Sequence, residues 1–258
     1  MASLGTLARH MPEEGCELIL LDDGSTRDYS AARIYAENVI PRTRWVRLDP
    51  DPECYFYEDG QKNPARALNR AFAESHGEKI VLVASDTIVN SRAMKAALAH
   101  DPSRGIMSTG VYDIEQQSFY CGPQRLFPSQ WFLTLARSTI NAIGGWDEEY
   151  MKGFAFEDND FVGRAALHHG QFFGAWDACV VHFSHRMKQI KDDPVLMEGL
   201  RRSQAHTRKK WGGIPFSDDE SPFSITRGRN KYEEIVYAVA RTKDYFEKEG
   251  ALSGAGAP

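Results

Sequence analysis

Residues 63–89, NPARALNRAFAESHGEKIVLVASDTIV, read as a helix, a buried strand and an acidic turn in succession. Asn63 before Pro64 is a helix start, because asparagine accepts an orphan N–H and proline's fixed φ suits the first helical turn. The helix runs to Gly77, a residue suited to the left-handed stop after a helix. KIVLVA, Lys79 to Ala84, is an almost wholly apolar run, the pattern of a strand buried on both faces. It empties into the polar turn Ala84-Ser85-Asp86-Thr87.

The same alternation extends both ways. Upstream, a weakly helical Ser3–His10 stops at Pro12, and the apolar run CELILL reads as a strand that ends in Asp22-Asp23-Gly24-Ser25-Thr26. A helix over Tyr29–Val39, a strand over Thr43–Leu48 and a loop over Asp49–Gln61 follow. Downstream come a helix (Ser91–His100), a strand (Gly105–Tyr112), a long loop (Asp113–Gln130), a strand (Trp131–Ala136) and a short helix (Ser138–Ile143). One or two strands lie in Phe172–Phe183, and helices are expected over Asp193–Lys210 and, on the surface, Lys231–Lys248. Strands alternating with helices imply an α/β fold with a mostly parallel central sheet. The chain contains no internal repeat and no glycine-rich phosphate loop.

Between these halves lies GGWDEEYMKGFAFEDNDFVGRAALHHG, residues 144–170. Glu157, Asp158, Asn159 and Asp160 fall where its helix begins, and acids there are favoured by the helix dipole. Phe154 and Phe156 beside them give a second reading, the wall of a site. In open α/β sheets ligands gather at the carboxyl ends of strands, where Asp22-Asp23 and Ser85-Asp86 both lie. Each turn also serves as an ordinary cap.

The 258 residues, 42% hydrophobic and 26% charged, suit one large soluble domain or one with an appendage. A net charge of −5 gives no overall footprint for nucleic acid. No apolar run is long enough to span a membrane, and MASLGTLARHMPEEG lacks the pattern of a cleaved signal. Cys16, Cys54, Cys121 and Cys179 form no Cys-x-x-Cys pair, which disfavours a cysteine zinc site and fits reduced thiols in a cytoplasmic protein.

ELILLDDGST, NPARALNRAFAESHGEKIVLVASDTIV and GGWDEEYMKGFAFEDNDFVGR, in that order, resemble the A-type-fold, nucleotide-sugar-dependent glycosyltransferases of the family-2-like group. The last stretch is also similar to the C-terminal motif of β-1,4-galactosyltransferases. The resemblance covers roughly residues 3–185. It implies a Rossmann-like catalytic domain over 1–215, with a donor half to about 112 and an acceptor half beyond, then a helical extension and tail over 216–258.

What the resemblance implies for the site is specific. Asp23, with Asp22, would meet the nucleotide base or ribose, and Arg66 and Asn69 would support the same pocket. Ser85 and Asp86 correspond to the end of an Asp-x-Asp metal motif whose first position is Ala84 here. Asp86 would hold Mn²⁺ or Mg²⁺ together with His182, or alternatively His185. Gly144, Gly145 and Trp146 would form the sugar-facing wall. Asp158 would be the general base of an inverting transfer from a UDP-sugar to an acceptor hydroxyl, with Glu157 holding a hydroxyl. Capping by Asn159 or Asp160 is a second role. The family's usual first strand has no counterpart. Ala84 and that gap favour the alternative, a non-catalytic nucleotide-sugar or glycan binder. The acceptor class, nucleic acid included, and the oligomeric state stay open.

Overall fold

The computed structural model describes residues 2–49, 63–183, 193–229 and 235–242. Helix α1 (Ala2–His10) precedes β1 (Leu18–Asp22), α2 (Ser30–Val39) and β2 (Thr43–Arg47). The two strands pair in parallel, from Leu18 opposite Thr43 to Asp22 opposite Arg47, and form a sheet of their own. Next come α3 (Ala65–Glu74), β3 (Lys79–Val83), β4 (Thr87–Ile88) and α4 (Ser91–Ala99). They lead to β5 (Ile106–Asp113), β6 (Ser118–Cys121), β7 (Phe132–Ala136) and α5 (Arg137–Ile143). The chain closes with α6 (Glu157–His169), β8 (Gln171–His182), α7 (Pro194–Trp211), β9 (Phe223–Arg229) and β10 (Ile235–Arg241).

The main sheet runs β3-β7-β5-β8-β10-β9, with β4 on β8 and β6 on β5. Its core is the pair β5 and β7, where Ile106, Phe132, Leu133 and Leu135 are fully buried. Helix α6 presses Phe161, Val162, Ala165 and Ala166 against it, positions that share one face at helical spacing. Each such large apolar side chain contributes about 1.5–3 kcal/mol on burial. Asn90 starts α4 by accepting from Arg92 and Ala93 N–H, and Asp193 with Pro194 starts α7 in the same way. Among the described residues, no helix is long and apolar enough to cross a membrane.

The α/β class expected from the sequence is present, but the main sheet is mixed and not mostly parallel, because most of its strands return antiparallel to their neighbours. Strands β5 and β8 are parallel, whereas β7, β10 and β4 enter antiparallel. Three local expectations are corrected. The surface helix over 231–248 is, across its described part, strand β10, whose Tyr237 and Val239 alternate into the core opposite β8. The β-branched run Ile235-Val236 with Tyr237 fits a pleated surface better than a helix. The loop over 113–130 contains β6, folded back on β5. Strand β3 is half-buried along its whole length, because among the described residues it pairs on one side alone, with β7.

Glu17, just before β1, accepts the Gly77 N–H at 3.2 Å, just before β3. The two five-residue strands therefore start from neighbouring points, yet no pairing joins them.

Candidate active site

Three strands converge on one histidine. His182 closes β8, and its register partners are Asp113 at the end of β5 and Thr87 at the start of β4. Asp86 lies in the turn closed by Thr87 N–H donating to the Ala84 carbonyl, so it reaches the same ring. His182 Nδ1 is 3.1 Å from Asp113 Oδ2, and Nε2 is 3.2 Å from Asp86 Oδ2. Burial alone would lower the imidazole pKa, but the Asp86 and Asp113 carboxylates outweigh it and raise it.

The second cluster heads α6. Ala155 and Phe156 take left-handed φ values of 61° and 67°, a strained entry of about 1–3 kcal/mol per residue. Phe154 N–H donating to the Gly199 carbonyl at 3.0 Å helps hold this turn, as does Gly153, where a Cβ would fall 2.3 Å from Ser203 Oγ of α7. The turn delivers Glu157 and Asp158 side by side. Glu157 accepts from Asn63 Nδ2 at 2.7 Å, and Asp158 Oδ1 accepts the Asn159 N–H. Removal from water, then the neighbouring Asp158 charge, push the Glu157 carboxyl up to about 8. Desolvation also raises Asp158.

Two aromatic side chains pack beside the first cluster. Trp131 lies 4.7 Å from the His182 ring and packs edge-on against Tyr120 at 4.2 Å. Burial raises the Tyr120 phenol, and the Asp158 charge raises it further. Both rings are half-exposed. Trp131, Tyr120, Asn63 and Asp113 escaped the sequence reading as site residues. A signal existed for Asp113, an acid at the carboxyl end of a strand like Asp22 and Asp86. Nothing in the sequence marked Trp131 or Tyr120.

Other expected residues serve different ends. Trp146 is no sugar-facing wall: it is 2% exposed, stacks on Phe161 at 3.9 Å and donates Nε1–H to Gln130. Asn69 is no donor ligand, since its amide is spent on the Trp146 backbone and on Glu148. Gly145 has its Cα against Asn69, where a Cβ would fall 2.5 Å from Oδ1, and Gly144 is the left-handed end of α5. Asp22 is buried in its own turn, accepting Ser25 N–H and facing Arg47. Asp23 is half-buried in that turn, and Arg66 donates to the Asp49 carbonyl. Ser85 is exposed beside Asp86. The cap of α6 is Phe156 and not Asn159 or Asp160: Asn159 donates to the Pro215 carbonyl, and Asp160 binds Arg164 and Trp211. His185 lies outside the described residues.

Among the described residues, no group of three His, Cys, Asp or Glu side chains is arranged to hold a metal. Asp86 and His182 offer one carboxylate oxygen and one imidazole nitrogen, a donor set that suits Mn²⁺ or Mg²⁺ when substrate phosphates and water complete the shell.

No protein-family model matches the chain, and no curated protein sequence matches it significantly. Solved structures do. A mannosyltransferase from Pyrobaculum calidifontis, solved with GDP-Man and Mn²⁺, superposes with a TM-score of 0.57 at 16% identity, covering 83% of this chain and 61% of that one. S. aureus TarS, residues 1–349, matches with a TM-score of 0.56 at 17% identity, over 81% of this chain and 68% of that one, and a UDP complex of the same fragment matches comparably. The chain thus spans about three fifths of the mannosyltransferase's length, and it has the A-type glycosyltransferase fold of these structures.

Proposed function

We propose that the chain is a metal-dependent glycosyltransferase that moves a sugar from a nucleotide-sugar, a UDP-sugar in our reading, to an acceptor hydroxyl with inversion. The observation that carries the proposal is the Asp86–His182 pair at the ends of adjoining strands, a carboxylate and an imidazole suited to a cation and diphosphate. The Trp131 and Tyr120 rings packed beside it, with the Asp158 charge acting on Tyr120, support the same reading. The fold shared with enzymes solved with GDP-Man and Mn²⁺ or with UDP supports the same reading.

Asp158 takes the acceptor hydroxyl proton as that oxygen attacks the anomeric carbon, and the bond from this carbon to the diphosphate breaks with its electron pair on the leaving group. A carboxylate with a raised pKa is a better base near neutrality. Glu157, whose carboxyl is raised by burial and the neighbouring Asp158 and which is hydrogen-bonded to Asn63, holds a sugar or acceptor hydroxyl. Asp86 and His182 would hold the Mn²⁺ or Mg²⁺ that neutralises the departing diphosphate. Trp131 and Tyr120 take the place of Trp146 as the sugar-facing wall. Asp23 and Arg66 remain candidates for the nucleotide.

Asp158→Asn should cut turnover by about 10²–10⁴-fold while leaving donor affinity unchanged. Full turnover by that variant overturns the assignment of the base. Ala84, where the motif has Asp, favours the non-catalytic alternative. Metal-dependent hydrolysis of a UDP-sugar without acceptor excludes it.

A further inference from the structure

We infer that Asn63 is a positioning residue for the acid pair, its side-chain amide holding the Glu157 carboxyl against the start of α3. The inference rests on the reading of Glu157 and Asp158 as the acceptor side of a sugar transfer. Asn63 is 2% exposed, so it does not itself meet substrate. Its amide has one orientation open to it. Oδ1 accepts the Ala65 N–H at 3.1 Å, and a backbone N–H only donates, so this side must be the oxygen. The NH₂ group is thereby turned toward α6, where Nδ2 lies 2.7 Å from Glu157 Oε2 and 3.5 Å from the Ala155 carbonyl. Glu157 Oε2 accepts whether the carboxyl is ionised or carries its proton on the other oxygen. Further along α3, Asn69 accepts the Trp146 N–H and donates to the Trp146 carbonyl. One helix therefore fixes both ends of the 146–157 segment that delivers the acid pair.

Two substitutions separate holding Glu157 from starting α3. Asn63→Ser keeps a hydroxyl for the Ala65 N–H but is too short to reach Glu157. Asn63→Asp keeps an oxygen for that N–H and turns a second carboxylate oxygen toward Glu157, which when ionised has no donor to offer. Adding Glu157→Gln to Asn63→Asp supplies one, so the pair is restored with its polarity reversed. The titratable groups that act on or feel Glu157 are Asp158 beside it, Tyr120 of β6 and Tyr150 of the Glu148–Lys152 turn, and these substitutions leave all three in place.

Three readouts test this. Carbon NMR of the Glu157 carboxyl follows its titration, and thermal melts at neutral pH follow the pairing. UDP release from UDP-glucose or GDP release from GDP-mannose, with Mn²⁺ and water as acceptor, follows the chemistry. The Asn63 N–H favours the ionised carboxyl, so Asn63→Ser should raise the proton affinity of Glu157 about tenfold. Nucleotide release should fall about 10²-fold with the donor KM unchanged. Asn63→Asp should lower the melting temperature by several degrees, and Glu157→Gln should restore more on that background than it adds to the wild type. An unmoved titration in Asn63→Ser overturns the inference, whether or not Asn63→Asp folds. So does a purely additive cycle, and so does unchanged nucleotide release by Asn63→Ser when the wild type is active. A wild type that releases no nucleotide removes the transfer reading, while a raised titration and a coupled cycle still show Asn63 holding Glu157.

Discussion

Glu157 and Asp158 share one desolvated corner, which raises both carboxyl groups above their usual values. The consequence for stability has a definite sign. The Glu157 pKa rises from 4.5 to about 8 on folding, so the native state binds this proton more tightly than the unfolded chain. Stability from this group is therefore greatest below the unfolded value and is lost as pH rises from 4.5 through about 8. Glu157→Gln should flatten that decline and raise the melting temperature at pH above 8, because the amide oxygen still accepts from Asn63. Thermal melts of both proteins across this window check it, and equal slopes would contradict the raised pKa. At this scale the sequence was informative about charge and poor about burial. The meeting of Asp86 with His182 and the place of Glu157 and Asp158 at a helix start were legible because these residues stand at strand and helix ends. The burial of Trp146 and the ties of Asn69 were not, because their partners, Phe161 and the Trp146 backbone, come from folding and not from local sequence.

Helix α6 depends on tertiary partners for its place. Asp160, fully buried, accepts from Arg164 and from Trp211 of α7, while Arg164 also donates to the Ile143 and Gly145 carbonyls. One carboxylate thereby ties α6 to α7 and, through Arg164, to the end of α5. Removing one partner of a buried pair leaves the other charge uncompensated, so Asp160→Ala should cost about 3–5 kcal/mol. Denaturant unfolding measures this, and a loss within the range of an ordinary surface change would contradict the buried-pair account. Gly145→Ala should also destabilise, since a Cβ there meets Asn69 Oδ1 and φ is +72°. Element positions were largely readable from periodicity and punctuation, as α2, α4 and α7 show. The helix expected over 231–248 failed because β8 pairs with Val236–Ala238 and β9 with Ile235–Arg241, which imposes an extended backbone.

Across the whole molecule, order is uneven. Strands β5 and β8 sit inside the main sheet, whereas among the described residues β1 pairs with β2 alone and β3 with β7 alone. Native-state hydrogen exchange should find the amides of β5 and β8 protected at the level of global unfolding, with β1 and β2 opening at lower free energy. Uniform protection would show that the two-stranded sheet is no weaker unit. The half-buried state of β3 was not readable from its apolar run, because it depends on which strands pair, and pairing is decided by tertiary contact. The central claim is that Asp86 and His182 serve a cation and diphosphate in an A-type fold. Calorimetric titration of UDP into the chain, with and without Mn²⁺, tests it most directly. Saturable heat that requires Mn²⁺ and disappears in Asp86→Ala is the expected result. No heat with UDP or GDP, with or without Mn²⁺, would contradict it.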